Sequence, residues 1–366
     1  MKILILCDHY PLSPRVKKMR TSLNKLYPNS TVKVFAWNRS NYSIIEDYVI
    51  SFNQSIGYGK KLRKLFNILK FAKKARTIKN EFKPDYIHSI DAEMLIVSSL
   101  IFQKCKLVYE VYDIKYFRNK FINWVREKTE FHIIKRYVNG IIFASPFFDI
   151  YYKEKGIQGV KTITINNKPA KDVTSGPKSD YMSKYNGKLQ NKIVVGFIGT
   201  IRYESILINL IDACMELDNI IVLLAGNGPF YNYINSYVGN NDMKTKVIMT
   251  GRYSSEDLES IYESCDYIWA AYPNKNLNVK YAISNKFFES LIFRRKIIVS
   301  ESTMIGDYVS ENNVGLTVNP YSVEGIRNLL KSLNKNIYSY SMTKISIGKG
   351  LYWEDEEEEL RNIYDK

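Results

Sequence analysis

Short apolar runs rich in β-branched and aromatic residues alternate with amphipathic helical stretches along the whole chain, the rhythm that βα units around a parallel sheet require. The runs predict strands at Lys2–Cys7, Thr31–Trp37, Tyr86–Ile90, Leu107–Val111, Gly140–Ala144 and Lys161–Ile165. After an interruption the alternation restarts at Ile193–Ile198, Ile220–Ala225, Lys246–Thr250, Tyr267–Ala271, Lys296–Ser300 and Gly315–Val318. The interruption, residues 166–191, holds Pro169, Gly176, Pro177 and Gly187 among polar residues and reads as a linker. The economical fold is two doubly wound, Rossmann-like α/β domains, residues 1–175 and 190–350, followed by a C-terminal helix within 351–366. The acidic run Glu354–Glu359 is expected to open that helix, where carboxylates complement the helix dipole. Ligands of open α/β sheets sit at the carboxyl ends of the strands, so the cleft between two such domains is the expected site.

Charge separates the two halves. Residues 1–185 carry 34 Lys/Arg against 15 Asp/Glu, a net +19, and the remainder carries 19 against 22, a net −3. Such a basic half points to a polyanionic partner: nucleic acid, an anionic membrane face or a phosphorylated substrate. Its densest stretch, Lys60–Lys79, holds nine basic residues and no acid. Leu62, Leu65, Phe66, Leu69 and Ala72 form the predicted apolar stripe there, with Phe71 isolated among lysines on the far face. A helix docked on its own sheet has such a stripe, and so does one lying on anionic lipid. No nucleic-acid-binding signature accompanies the charge, which disfavours that partner. No stretch approaches the roughly 18–20 apolar residues of a membrane span, and the first apolar run is too short for a signal peptide, so a soluble, cytosolic protein is expected. Cys7, Cys105, Cys214 and Cys265 lie at least fifty residues apart and the three histidines are scattered, so neither a disulfide framework nor a zinc site is expected.

Three loops at the predicted carboxyl edge of the second domain, and one helix start, carry chemistry. Gly196-Phe197-Ile198-Gly199-Thr200-Ile201-Arg202 joins a strand to a helix, placing glycine and a helix N-terminus where a phosphate would sit, with Arg202 as a bidentate clamp. Ala225-Gly226-Asn227-Gly228-Pro229 and Gly251-Arg252-Tyr253 end two further strands, and a tight turn explains the first of these equally well. In Ser284-Asn285-Lys286-Phe287-Phe288-Glu289, Ser284 is placed to cap a helix whose Lys286 and Glu289 share a polar face. That pair reads either as a solvated ion pair or as a phosphate cation beside a ribose acceptor.

The ordered series GFIGTIR, LLAGNGP, VIMTGRYSSEDLESIYESCDYI, SNKFFESL and LYWEDEEEELRNIY resembles the GT-B glycosyltransferases, in particular the retaining glycosyltransferase family 4 (group 1). The first domain is similar more loosely, through PRVKKMRTSL, DYIHSIDAEML and VYEVYDIKYF. The resemblance implies that the second domain binds a nucleotide sugar, the first receives the acceptor, and the final helix crosses back onto the first domain. It makes Gly199, Thr200, Arg202, Gly226, Asn227, Gly228, Arg252, Tyr253, Ser284, Asn285, Lys286 and Glu289 donor contacts, with Arg202 and Lys286 on the leaving diphosphate and Glu289 on the ribose. Tyr281 stands where the family's sugar-binding glutamate falls, and Tyr112 replaces its active-site histidine, beside Asp113. Arg15, Asp91 and Glu110 are the acceptor-side candidates. No DxD motif occurs, so neither cofactor nor metal is expected beyond the donor co-substrate. The implied activity is retaining, metal-independent transfer to a lipid-linked glycan in bacterial surface polysaccharide assembly, at the inner membrane face. The alternatives are a GT-B-like nucleotide-sugar epimerase or hydrolase, disfavoured by the scarcity of histidine, and a catalytically silent nucleotide-sugar-binding subunit, favoured by Tyr281 and Tyr112.

Overall fold

The computed structural model describes residues 1–55, 61–117, 119–174, 179–335 and 347–365, with only the backbone of 61–65. The chain divides into an N-terminal unit, Met1–Asn167 joined by Trp353–Lys366, and a C-terminal unit, Lys168–Tyr352.

In the N-terminal unit β1 (Lys2–Cys7), α1 (Pro14–Leu26), β2 (Thr31–Asn38), β3 (Val49–Asn53), α2 (Lys61–Phe82), β4 (Tyr86–Ile90), α3 (Asp91–Ser99), β5 (Lys106–Val111), α4 (Lys120–Tyr137), β6 (Val138–Phe143), α5 (Pro146–Glu154) and β7 (Lys161–Thr164) follow in order. Their sheet runs β3-β2-β1-β4-β5-β6-β7, parallel throughout, so the strand order reverses between β1 and β4. β1 is buried on both faces after Lys2, as a central parallel strand must be. The sequence did not mark β3: at the sheet edge, VISFN is only half-buried and carries no long apolar run. Ser13 and Ser145 cap α1 and α5, each followed by a proline whose missing N–H costs nothing in a first turn.

The C-terminal unit contains α6 (Asn186–Leu189), β8 (Ile193–Ile198), α7 (Glu204–Cys214), β9 (Ile220–Ala225), α8 (Tyr231–Asn240), β10 (Val247–Gly251), α9 (Leu258–Glu263), β11 (Tyr267–Ala270), α10 (Leu277–Tyr281), α11 (Asn285–Ile292), β12 (Lys296–Ser300), α12 (Met304–Glu311), β13 (Gly315–Val318) and α13 (Val323–Ser332). Its parallel sheet runs β10-β9-β8-β11-β12-β13. The strand order reverses between β8 and β11, and ligands collect at such a switch point. The boundary falls at Asn167/Lys168, earlier than residue 175, because Lys168 is wholly buried and donates to the carbonyls of Lys349 and Gly350 at 2.9 and 3.0 Å.

Two expectations need correction. The C-terminal segment is not one helix opened by solvated acids: Trp353–Asp355 and Glu357–Leu360 are 3₁₀ turns, and only Arg361–Tyr364 (α14) is α-helical. Glu356 and Glu357 are buried because each meets particular donors: Glu356 takes the backbone and side-chain amides of Asn166, at 2.6 and 2.9 Å, and Glu357 takes Ser22 and Lys25. The second correction concerns α2. Phe71 is the buried residue, stacked on Phe35 at 4.3 Å in a slot completed by Trp37 and Phe52, whereas Phe66 and Leu69 face solvent. The seated face is Asn67, Phe71, Ala75 and Ile78, a helical repeat turned away from the expected stripe; Ala72 is buried beside it, and the side chains of Leu62 and Leu65 lie outside the described residues.

Candidate functional site

In the C-terminal unit the three strand-end loops are knitted into one floor. Gly199 N donates to Ala225 O at 2.8 Å, Ile201 N to Asn227 O at 3.1 Å, and Gly226 N to Gly251 O at 2.8 Å. Glycine is demanded by contact as well as conformation. A Cβ on Gly226, whose φ is +137°, would lie 1.9 Å from Gly199 O, and one on Gly228 would lie 2.4 Å from Ile201 O. The loops line an open pocket of about 600 Å³ formed by Gly199, Thr200, Gly226, Asn227, Gly228, Arg252 and Tyr253. Tyr181, from the stretch read as a linker, shapes the third loop: its hydroxyl is shared between Thr250 O and Arg252 O, 3.2 Å from each.

Behind this floor stands α11. The Ser284 hydroxyl accepts the Lys286 N–H at 3.3 Å as the N-cap, and the Lys286 side chain passes over Gly199, where even a Cβ would come within 3.4 Å of Cε. Lys286 Nζ lies 3.0 Å from Glu289 Oε2, which also accepts the Tyr262 hydroxyl at 2.6 Å. The pair is largely withdrawn from solvent, with 14% of Lys286 and 9% of Glu289 exposed, so it is not a solvated surface ion pair. Burial opposes charge on Lys286, but the Glu289 carboxylate beside it outweighs this and holds the ammonium above its ordinary pKa. The site thus keeps a fixed cation, and Glu289 Oε1 is left to accept another donor.

The other expected donor residues fall differently. Arg202 is exposed, its guanidinium 4.9 Å from the Tyr203 ring, and it does not line the cavity, whereas Arg252 does. Asn285 opens α11 without lining the cavity, and Tyr281 ends α10 with its side chain buried.

In the N-terminal unit the expected acceptor-side residues divide into two sets. Arg15 and Glu110 are not an exposed acceptor surface, because they are buried against one another: Arg15 Nε and Nη2 reach Glu110 Oε1 at 2.9 and 2.8 Å. Glu110 Oε2 pairs with His88 Nε2 at 2.8 Å, and His88 Nδ1 with the Tyr364 hydroxyl at 2.7 Å. Burial would raise the Glu110 pKa, but Arg15 and His88 outweigh it and hold the carboxyl below its ordinary value. The Arg15 guanidinium lies between the rings of Tyr112 and Trp353, at 5.2 and 5.1 Å, so this chain of contacts ties the C-terminal segment to the loop after β5. The Tyr112 hydroxyl is buried without a partner, and burial pushes its pKa far up.

Asp91 and Asp113 form the second set. Asp91, in the left-handed region at φ +60°, clamps the loop after β5: its Oδ1 accepts the N–H groups of Tyr112 and Asp113 at 3.0 and 3.3 Å, and its Oδ2 lies 3.1 Å from Lys115 Nζ. Burial raises the Asp91 pKa to about 6, against the pull of Lys115. Asp113 itself is exposed at the loop tip.

Sequence reading passed over the end of β1. There Cys7, Asp8 and His9 bring possible ligand atoms within 4.8 Å of one another. Asp8 Oδ1 already pairs with His9 Nδ1 at 2.9 Å, and Arg39 lies 3.3 Å from Asp8 Oδ2. The hydrogen bond to Asp8 raises the His9 pKa to about 10. The group is therefore a proton-holding pair among cations, and the dipeptide Asp8-His9 was its sequence signal.

Residues 179–344 match the family of glycosyl transferases group 1. No curated protein matches the chain. Among solved structures, sucrose-phosphate synthase from Thermosynechococcus elongatus superposes with a TM-score of 0.70 at 14% identity, over 90% of this chain and 89% of that one. Anabaena Alr3699/HepE in complex with UDP-glucose gives 0.66 at 15% identity, over 91% and 89%. The E. coli protein described as trehalose-6-phosphate bound with UDP-2-fluoro glucose gives 0.66 at 10%, over 90% of each chain. The likeness shows the fold, two Rossmann-like units of the GT-B type, and the resemblance to group 1 glycosyltransferases holds across the C-terminal unit.

Proposed function

We propose that the protein is a retaining glycosyltransferase that binds a nucleotide sugar in its C-terminal unit and transfers the sugar to an acceptor held by its N-terminal unit. The observation that carries this reading is the glycine floor with Lys286 fixed above it. The glycine loops line a pocket of about 600 Å³ whose lining holds no carboxylate, and the Lys286 ammonium stands outside that lining but close against Gly199, a setting suited to a diphosphate. Glu289 Oε1 supplies the ribose acceptor, and Arg252 stands at the rim as a second cation. UDP-glucose and UDP-2-fluoro glucose are the ligands named for two of the similar structures, which makes UDP-sugars the first donors to test.

In the proposed reaction the bond between the anomeric carbon and the diphosphate breaks as the acceptor oxygen bonds to the same face. The acceptor proton passes to the leaving phosphate oxygen, so no separate histidine base is needed. Negative charge grows on that oxygen, and Lys286 with the loop amides stabilises it where it develops. Fixed cations also remove the need for a divalent metal.

No described helix is long and apolar enough to cross a membrane. Lys70, Lys73, Lys74 and Arg76 are exposed on α2 and support an anionic membrane surface, and with it a lipid-linked glycan acceptor, as the partner of the N-terminal unit.

Nucleoside diphosphate release tests the activity. Release from a UDP-sugar only when acceptor is added supports the transferase, release without acceptor points to a hydrolase, and stabilisation by UDP-sugar with no release under any condition points to a silent binding subunit. A donor panel that produces no thermal shift overturns the site.

A further inference from the structure

Helix lengths set the geometry of the N-terminal unit's rim. α2 has 22 residues, about 33 Å at 1.5 Å per residue, against β4 at five residues, about 17 Å. α4 has 18 residues, about 27 Å, against six in β5, about 20 Å. Both helices follow parallel strands, so both begin at the carboxyl edge of the sheet, and both flank α3 in one layer. The extra length lets their N-terminal ends run past the sheet, and the described side chains there include several large exposed ones.

The large exposed side chains near those ends are apolar. On α4, Phe121 is 70% and Trp124 55% exposed, with Ile122 and Val125 exposed beside them; on α2, Phe66 is 66% exposed next to exposed Leu69. At 100° per residue the four α4 side chains cover an arc of roughly 160°, wider than the seam one partner helix would use. Only Asn123 turns inward, accepting the Phe117 N–H at 3.2 Å. The rings of Phe121 and Trp124 lie nearly parallel with centroids 6.1 Å apart, forming one block. Around these tips the exposed charge is basic: Lys70, Lys73 and Lys74 on α2 and Lys120 and Lys128 on α4 are exposed, and the nearby acid on α4, Glu127, is mostly buried and pairs with Arg126.

We propose that the first turn of α4, together with the exposed Phe66 and Leu69 of α2, forms a foot that enters the headgroup region of an anionic bilayer, with Phe121 and Trp124 as the inserted anchors and the flanking lysines on the lipid phosphates. Apolar tips ringed by cations fit an interface that is anionic outside and hydrocarbon beneath, and two tips separated by α3 are engaged together by a broad surface. The inference rests on the reading that the N-terminal unit meets an anionic membrane, and it replaces binding by α2 charge alone with insertion.

The chain supplies its own reporter. Trp37, Trp269 and Trp353 are buried, leaving Trp124 as the exposed tryptophan. Phosphatidylcholine vesicles containing phosphatidylglycerol should bind the protein and blue-shift its tryptophan emission; Trp124→Phe should still sediment with them but lose the shift. The double variant Phe121→Ser/Trp124→Ser should lose partitioning by on the order of 100-fold while keeping its UDP-sugar thermal shift. If the wild type ignores these vesicles, both the inference and the membrane reading are overturned. If the double-Ser variant binds equally well while Lys70→Gln/Lys73→Gln/Lys74→Gln binds less, insertion is overturned and charge-only binding stands. An emission shift that follows protein concentration without vesicles assigns the patch to a second copy of the chain and also overturns the proposal.

Discussion

At the carboxyl edge of the C-terminal sheet the loops meet largely through backbone: Gly199, Gly226 and Gly228 touch through carbonyls and amides, and the largely buried Lys286 reaches over Gly199. The corresponding region of the N-terminal sheet is filled with side-chain charges that already hold one another, from Asp8–His9 and Asp91–Lys115 at the loops to Arg15–Glu110–His88–Tyr364 beneath them. One edge ties its loops together through backbone groups, and the other uses side-chain charges to hold its loops and the C-terminal segment in place. Charge in a sequence therefore does not identify a site: the net +19 half buries its best acid–base cluster as structure.

The sharpest way to break this comparison is Glu110→Ala. It leaves Arg15 buried without a counter-ion and His88 without its acceptor, and removing one partner of a buried pair costs about 3–5 kcal/mol. Denaturant unfolding of the N-terminal unit should fall by that amount, with UDP-sugar affinity of the folded protein unchanged. Unchanged stability would show that the cluster is not structural. Lys286→Ala tests the other edge. Transfer should drop by on the order of 100-fold, as loss of one donor at a developing charge does. Wild-type turnover would take Lys286 off the leaving group.

What the sequence revealed follows the same division. Glycines at strand ends have few uses, and an ordered series of them pointed to the pocket that Gly199, Gly226 and Gly228 line. Strand positions were legible because central parallel strands are continuous apolar runs, and β3 was missed because VISFN is half-buried and broken by Ser51. That omission hid the slot of Phe35, Trp37 and Phe52, and without the slot the two faces of α2 could not be ranked. The burial of Glu356, Glu357 and Glu110 was invisible because their partners, Asn166, Ser22 and Arg15, lie far away in the chain.

Gly226→Ala sharpens the backbone side of the comparison. The added methyl would stand 1.9 Å from Gly199 O, so two loops must separate; overpacking of this kind costs about 1–3 kcal/mol. Because the strain falls on the pocket floor, donor Kd should rise by roughly 5- to 150-fold. Isothermal titration with UDP-sugar at a temperature where the variant is folded reads this directly, and an unaltered Kd would mean the ligand does not rest on these loops.

The smallest expected effect concerns pH. His9 has its pKa raised from 6.5 to about 10, chiefly by its hydrogen bond to Asp8, so its contribution to stability is complete below about 6.5 and disappears as pH climbs through 10. Burial alone would raise the Asp8 pKa, but His9, Lys115 and Arg39 lower it to about 2, so its contribution is complete above about 4 and disappears as pH falls through 2. Asp91 acts in the opposite sense. Its folded pKa of about 6 exceeds the unfolded 3.8, so stability declines as pH rises between those values. In this group of charges, Asp8 and His9 contribute fully together only between about pH 4 and 6.5, while Asp91 tilts that window downward with pH. His9→Gln should flatten the alkaline decline from 6.5 to 10, and Asp91→Asn should flatten the slope from 3.8 to 6, each without altering the other. Because His9 is partly exposed, salt should shrink its effect while leaving that of buried Asp91 in place. Urea midpoints across pH, together with an NMR titration of the His9 ring, measure both slopes. If His9 titrates near 6.5, its pairing with Asp8 is a passing contact, and the loop after β1 is as free to meet a ligand as the glycine floor of the other unit.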